Sequence, residues 1–412
     1  MLCRPRMRQF VGNALAITKG KVYVLTTIGA LVIVGCSQQP AGTSMKHVHF
    51  ALFSRVLVLV VALACVQANA APDTVRFYNW YQLIDPQTLR AFERQTGTRA
   101  ILDSFASIEI MLAKVMSGNS GYDLTMATDH ALPNLIRAGA LQKLETGKLR
   151  NWQHLDPGVL EKLQANDPGN LYAVPYLIGT TGIGYNPELV AQVLGEEAPV
   201  DSWELIFKEE NIAKLSECGV AMLDSAAEIM PIALHYLGLP DDSEKPEHYA
   251  QAQALLMKIR PHVRYFDSSK FVTDLINGEL CAVITWSGGI HDARRTLAQN
   301  GIKRDLQYRI PKEGAPIWTE NLVILKDARN PQASLALIDH LIDAEVATLN
   351  STHLGYPNAN TISRALMGQT LQADHLDQPS PATMNRLFPL KALPYAAERI
   401  RTRAWSRVKT GS

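Results

Sequence analysis

The chain has 412 residues, with 40 Lys or Arg against 39 Asp or Glu and a formal net charge of +1. The first 70 residues include seven basic residues and no acidic ones. Residues 71–412 therefore hold 33 basic and 39 acidic residues, a formal net charge of −6. An acidic body of this kind disfavours a nucleic-acid partner and mildly favours cations. It is also too long for one ordinary hydrophobic core and long enough for two lobes.

The acid-free N-terminal region contains two apolar runs, at residues 22–35 and 56–66, and both are shorter than a membrane-spanning helix. The second run follows Met45 and ends in the Ala-Asn-Ala sequence of residues 68–70, the small-x-small pattern that a signal peptidase recognises. We therefore expect translation to start at Met45 and export to remove everything through Ala70.

Under that interpretation, residues 1–44 are an upstream extension of the natural product. The alternative is a lipoprotein anchored through Cys36, because residues 32–37 loosely suit a lipoprotein signal. Burial of the two runs as core helices is disfavoured by their flanking charges. We favour the Met45 start because it accounts for both runs, and we expect the product in the periplasm.

Short apolar strands and amphipathic helices alternate along residues 71–412, separated by turn residues. The first half predicts, in order, strand 75–80, helix 86–95 ending at Gly97, strand 99–102, helix 108–116, strand 122–126 and helix 132–138. Later strands are predicted at 171–177, 182–185, 220–223, 282–286, 308–310 and 322–325. This is an α/β pattern. Because no Pro-, Gly- or Ser-rich linker divides the chain, we expect two lobes that are interleaved by crossovers.

Only two cysteines, Cys218 and Cys281, follow the predicted cleavage point. The other three, Cys3, Cys36 and Cys65, precede it. In an oxidising compartment the remaining pair is expected to form a disulfide. Two unpaired buried cysteines are the alternative, and no flanking motif supports a catalytic nucleophile.

Standard catalytic motifs are missing from the sequence. It contains no Gly-x-Ser-x-Gly, no phosphate-binding loop ending in Lys-Ser/Thr and no His-Glu-x-x-His. The histidines after residue 70 show no metal-ligand spacing. The glycine-rich stretch 180–186 is only a weak indication of a phosphate-binding loop. We therefore predict no enzymatic activity, no metal and no cofactor.

Between residues 74 and 410 the sequence contains several uncommon short segments that match a known family. They are residues 77–80, 122–124, 173–186, 198–203, 264–266, 310–315 and 401–405. Together they resemble the periplasmic putrescine- and spermidine-binding proteins of ABC importers. The resemblance implies an α/β, two-lobed periplasmic binding protein fold of type II, with a ligand cleft between the lobes. It also implies that Cys218 and Cys281 match a family cysteine pair.

The resemblance implies a division into lobe 1, residues 71–181 plus 320–354, and lobe 2, residues 182–319 plus 355–412. It further implies a monomer that binds a small cationic amine and delivers it to the inner-membrane permease subunits of an ABC importer, with no nucleic acid involved. The alternative is a binding protein that senses an amine or amino acid and is not coupled to polyamine uptake.

An alkyl diamine offers two ammonium groups and an apolar stem, so its receptor needs carboxylates for the ends and aromatic faces for the middle. The resemblance places four aromatic residues and two acidic residues in the cleft, and these are Trp80, Trp286, Trp318, Tyr356, Glu228 and Glu320. Without the resemblance, core packing would explain the aromatic residues and solvated surface the glutamates.

Two departures from the family pattern fall next to aromatic cleft positions. Where the family continues Asn-Trp with Ser-Asp, this chain has Tyr81 and Gln82. Where the family has Trp-Ala-Gly-Asp, this chain has Trp-Ser-Gly-Gly at residues 286–289, so that Gly289 stands in place of the Asp. Two carboxylates are thereby lost, and Gly289 is expected to leave space as well. We expect a changed ligand: a longer polyamine, a monoamine, or an amine that carries its own carboxylate.

Overall fold

The computed structural model describes residues 14–18, 21–25, 31–35, 73–81, 83–367 and 381–411. The chain divides into two compact units, Met1–Ala71 and Pro72–Ser412. In the first unit, the strands β1 (Ala14–Thr18), β2 (Lys21–Leu25) and β3 (Leu31–Gly35) form an antiparallel sheet in that order. The predicted cleavage site at Ala70 and the alternative anchor Cys36 lie outside the described residues. No helix within the described ranges is both long and apolar enough to cross a membrane.

The second unit alternates strands and helices, as predicted. Its strands are β4 (Thr74–Trp80), β5 (Arg99–Phe105), β6 (Leu124–Thr128), β7 (Ala173–Tyr185), β8 (Val220–Met222), β9 (Tyr265–Phe266), β10 (Ala282–Trp286), β11 (Gln307–Arg309), β12 (Pro316–Ile324) and β13 (Phe388–Pro389). Its first helices are α1 (Pro86–Thr96), α2 (Ile108–Met116), α3 (Leu132–Arg137), α4 (Pro157–Leu163), α5 (Pro187–Leu194), α6 (Glu204–Phe207), α7 (Glu209–Leu215) and α8 (Ala226–Tyr236). The later helices are α9 (Pro246–Ile259), α10 (Phe271–Asn277), α11 (Ser287–Gln299), α12 (Pro331–Leu341), α13 (Ala344–Leu354), α14 (Thr361–Met367), α15 (Pro381–Met384) and α16 (Tyr395–Thr410).

Local sequence signals set many of these boundaries. Helix α1 begins after Asp85, whose carboxylate accepts the backbone N–H of Gln87 at 2.8 Å and so satisfies one of the free donors of the first turn. It ends at Gly97, which adopts the left-handed conformation with φ 71°. The helix predicted over residues 86–95 is thus confirmed, including its stop.

Strand β7 differs from the prediction. The two strands predicted at 171–177 and 182–185 form one strand of 13 residues. Gly179 lies between the two predicted strands and Gly182 begins the second, and both serve close packing instead of interrupting the strand. A Cβ on Gly179 would lie 2.2 Å from the ring of Trp318, and one on Gly182 would lie 2.5 Å from a backbone oxygen of β11.

One path of paired strands runs through the second unit in the order β5-β4-β6-β12-β7-β10-β8-β9, with β11 paired to β7 and β13 to β12. Strands β4, β5 and β6 are parallel, as are β8, β9 and β10. The antiparallel strands β7 and β12 connect the two groups. Residues 173–180 of β7 pair with β12, and residues 181–185 pair with β10 and β11.

Apolar side chains pack into separate cores at the two ends of this sheet. Phe77 and Leu322 belong to a core around β4 and β12, and Ile229 and Ile284 belong to a larger core around α8 and β10. Tyr356 packs with the first of these cores, although the predicted boundary at residue 354 assigned it to the second lobe. The division into lobes remains a prediction.

The predicted disulfide between Cys218 and Cys281 is confirmed, with 5.5 Å between the two Cα atoms. It joins the segment before β8 to the residue that precedes β10, two strands that pair in parallel. The disulfide therefore lies within the larger core and closes a loop over 63 positions of sequence.

Candidate functional site

A cavity of about 550 Å³ lies at the carboxyl ends of several strands. Its lining includes Trp80, Phe105 and Thr128, the last residues of β4, β5 and β6. It also includes Trp286 at the end of β10 and Ser225 just after β8. In α/β proteins ligands commonly bind beyond the carboxyl ends of the strands, where the loops are free to vary. The cavity is therefore the candidate binding site.

Eight of the nine predicted ligand-binding residues line this cavity. They are Trp80, Tyr81, Glu228, Trp286, Gly289, Trp318, Glu320 and Tyr356. Gln82, the ninth, lies outside the described residues. Contacts between these side chains and a ligand remain a prediction, but the fold brings together residues that are far apart in sequence.

Glu228 accepts two hydrogen bonds on one carboxylate oxygen. It lies in the first turn of α8 and is buried, with 7% of the residue exposed. The Trp286 indole N–H donates to Oε2 at 2.9 Å, and the Thr181 hydroxyl donates to the same atom at 2.5 Å. Trp318 in turn donates its indole N–H to the Thr181 oxygen at 3.1 Å. Burial raises the pKa of Glu228, and the bonds from Thr181 and Trp286 lower it in part.

Glu320, on β12, has a hydrogen-bond donor for only one of its two carboxylate oxygens among the described residues. Thr128 donates its hydroxyl to Oε1 at 2.7 Å, while Oε2 is buried and has no hydrogen-bond partner among the described residues. Burial raises the pKa of Glu320 to about 8, against the lowering effect of Thr128 and the nearby Trp80 indole; the charges of Asp129 and Glu228 raise it further. The Trp80 Nε1 is likewise buried without an acceptor within hydrogen-bonding geometry among those residues. A ligand donor and acceptor could satisfy both groups.

Aromatic rings form much of the remaining wall. The Trp80 and Trp286 rings meet edge to face with their centroids 6.0 Å apart. The Trp80 ring also packs against the Phe105 ring, with 4.6 Å between the two centroids. Trp318 and Tyr356 form a second pair at 5.4 Å. Burial raises the pKa of Tyr356 well above its usual value, so its hydroxyl remains protonated. Such walls suit an alkyl stem and attract cations to their faces.

The prediction that Gly289 leaves open space is wrong. A Cβ on Gly289 would lie 2.7 Å from two ring carbons of Phe271 and 3.1 Å from the Thr285 hydroxyl oxygen. The Phe271 ring fills the volume that a side chain at position 289 would need. Position 289 does lack the carboxylate of the family pattern, but the volume of the missing side chain is filled by the Phe271 ring.

Sequence reasoning missed several residues of the lining. Thr128, Asp224 and Ser225 lie within two residues of the ends of the strands predicted at 122–126 and 220–223, so the strand-end rule could have found them. The Asp224 carboxylate accepts the Trp405 indole N–H at 2.9 Å and pairs with Lys409 at 2.8 Å. Phe271 begins a helix and carried no comparable signal.

Residues 87–378 match a family described as bacterial extracellular solute-binding proteins. The chain belongs to this family. The match confirms the resemblance seen in the sequence, and it covers most of the unit that holds the cavity.

Named relatives narrow the comparison further. The chain is 52% identical over 362 residues to the putrescine/agmatine-binding protein of Pseudomonas aeruginosa (strain PAO1), covering 88% of this chain and 99% of the relative. It is 39% identical over 355 residues to the putrescine-binding periplasmic protein PotF of Escherichia coli (strain K12), covering 85% and 95%.

A solved structure supports the same family and confirms the predicted fold class. The putative spermidine/putrescine ABC transporter from Listeria monocytogenes superposes with a TM-score of 0.74 at 27% identity, over 82% of this chain and 100% of that one.

Proposed function

We propose that the protein captures a small cationic amine in the periplasm and delivers it to the permease of an ABC importer. The supporting observation is the pair of buried carboxylates, Glu228 and Glu320, set among tryptophan rings in one cavity. A buried carboxylate is unfavourable unless a cation or hydrogen-bond donors stabilise it, and an amine supplies both. The rings receive its alkyl stem.

The cavity volume and the relatives agree with this ligand class. About 550 Å³ falls in the range of small-molecule sites. The relative with 52% identity is named for binding putrescine and agmatine, and the relative in Escherichia coli for binding putrescine. Each hydrogen bond to a charged group contributes about 1.5–3 kcal/mol, so the cavity should favour amines over neutral molecules of equal shape.

Ligand binding should also draw two lobes together. Trp80 and Glu320 belong to elements around the first core, and Glu228 and Trp286 to elements around the second, so one ligand that contacts all four must bridge them. We assign residues 71–181 and 320–354 to the first lobe and residues 182–319 and 355–412 to the second, except that Trp318 and Tyr356 pack in the core of the first. The exported protein is proposed to be a monomer without enzymatic activity, beginning after Ala70.

Thermal shift followed by calorimetry tests the proposal. The panel comprises putrescine, agmatine, cadaverine and spermidine, with 1,4-butanediol as the neutral match for putrescine and amino acids to probe a sensing role. At a ligand concentration of 100 Kd, binding should stabilise the protein by about 2.7 kcal/mol. Glu228→Gln with Glu320→Gln should remove most of the effect. Glu188→Gln, an exposed glutamate on α5, is the control. A panel without any amine binding would contradict the proposal.

A further inference from the structure

The wall at Gly289 is built differently from the rest of the cavity. Phe271, the first residue of α10, is only 2% exposed, and its ring stands where the side chain of residue 289 on α11 would project. The same ring packs edge-on against Trp286, with centroids 6.4 Å apart and planes at 73°. This wall therefore presents aromatic carbon, backed by a buried ring, in place of a carboxylate.

The carboxylates of the cavity are unevenly available to a ligand. Asp224 is paired with Lys409, and Asp292 with Arg295, whose guanidinium also donates to His353. Among the described residues of the lining, that leaves Glu228 and Glu320. Trp286, which donates its indole N–H to Glu228 at 2.9 Å, packs against Trp80, whose indole lies beside Glu320. The two carboxylates therefore border the same pair of rings and can receive one cationic end together. The other end of the ligand then meets a lining in which the remaining described carboxylates are already paired and the side chains around Gly289, Trp286 and Phe271, are aromatic.

A primary ammonium and a guanidinium respond differently to such a wall. The ammonium is compact and strongly hydrated, so an aromatic ring compensates poorly for its lost water. The guanidinium is planar and weakly hydrated, and it stacks on aromatic faces, best on tryptophan. Trp286 is partly exposed, and its indole N–H is tied to Glu228, which fixes the ring.

We propose that Phe271, which fits only because residue 289 is glycine, is a positioning residue for ligand selectivity: it excludes a carboxylate and supports Trp286, so that the cavity prefers a guanidinium-bearing amine to a simple diamine. The inference rests on the proposed function, since it concerns the same cavity. It identifies the ligand class as an aminoalkyl guanidine, for which agmatine is the probe and putrescine the diamine of equal stem length.

Calorimetry on four proteins tests the selectivity. The wild type should bind agmatine at least about tenfold more tightly than putrescine. Phe271→Ala with Gly289→Asp makes room for a carboxylate and should shift the ratio of the two dissociation constants at least about tenfold towards putrescine. Phe271→Ala with Gly289→Asn has nearly the same volume without the charge and should produce no such shift. Phe271→Leu keeps an apolar filler and should weaken agmatine more than putrescine.

The outcomes separate the inference from the proposed function. Equal or tighter binding of putrescine by the wild type would overturn the inference and leave an amine receptor in place. Equal ratios for the Asp and Asn double variants would overturn it as well. If the double variants fail to fold, the wild-type ratio and Phe271→Leu decide the question. Binding of no amine at all would overturn the proposed function and the inference with it.

Discussion

Lowering the pH should weaken amine binding through Glu320. Burial raises the pKa of this carboxyl to about 8, so the empty protein holds a proton there at neutral pH. A cationic ligand favours the ionised form and expels that proton. With a pKa of 8, about half of the carboxyl is ionised at pH 8 and about 1% at pH 6, so the apparent affinity should fall by up to about fiftyfold over that interval.

Calorimetry at pH 6, 7 and 8, in buffers of different ionisation enthalpy, measures both the affinity and the protons released. An alkyl ammonium titrates near pH 10, so the ligand stays charged throughout. Glu320→Gln should flatten the dependence, with a residual slope from Glu228, whose pKa is also raised by burial. Glu188→Gln should behave as the wild type. No proton release, or the same slope in wild type and Glu320→Gln, would refute the reasoning.

The same carboxyl should make the stability of the empty protein depend on pH in the opposite direction to its ligand affinity. Its pKa in the folded protein lies above the unfolded value of 4.5, so the native state retains a proton that the unfolded state loses between pH 4.5 and 8. Stability of the empty protein therefore falls as the pH rises through this window, by at most on the order of 5 kcal/mol. Urea unfolding should show Glu320→Gln to be more stable than wild type at pH 8. A less stable variant at pH 8 would contradict the assignment.

Three further outcomes are expected. Replacing Cys218 and Cys281 with Ala should lower the free energy of unfolding by about 4 kcal/mol, because the disulfide closes a loop over 63 positions, and urea unfolding of oxidised wild type and variant checks this. Small-angle scattering should show a more compact protein at saturating amine, and an unchanged radius of gyration would count against lobe closure. Intact mass of the exported protein should correspond to a chain beginning after Ala70, whereas a lipidated species beginning at Cys36 would show that the alternative start is correct.

The sequence predicted those parts of the fold that local signals specify. Asp85 and Gly97 mark the two ends of α1 because capping depends on a few neighbouring residues. The continuity of β7 was missed because the glycines within it look like a break. Their role depends on Trp318 and β11, which approach from more than 100 positions away in sequence. Tertiary contact therefore overrode the local signal.

The same distinction applies to the binding site. The resemblance supplied the positions of Glu228, Glu320 and the aromatic residues, and eight of the nine positions line one cavity. It could not supply the contact between Gly289 and Phe271, because a loss of charge is visible in the sequence but the atoms that refill the volume are not. Without that contact, glycine at this position indicated open space beside the lost charge.

Filling the volume also changes how a carboxylate could be restored at this position. Adding Asp at 289 alone would place its Cβ 2.7 Å from the Phe271 ring, and such overpacking typically destabilises a core by about 1–3 kcal/mol. Because the Phe271 ring still fills the volume that the new side chain needs, the carboxylate is not expected to reach a ligand ammonium and gain the about 1.5–3 kcal/mol of a charged hydrogen bond. The single substitution should therefore leave putrescine affinity nearly unchanged. A gain should appear only when Phe271 is reduced at the same time, so the two positions must be changed together to alter the ligand.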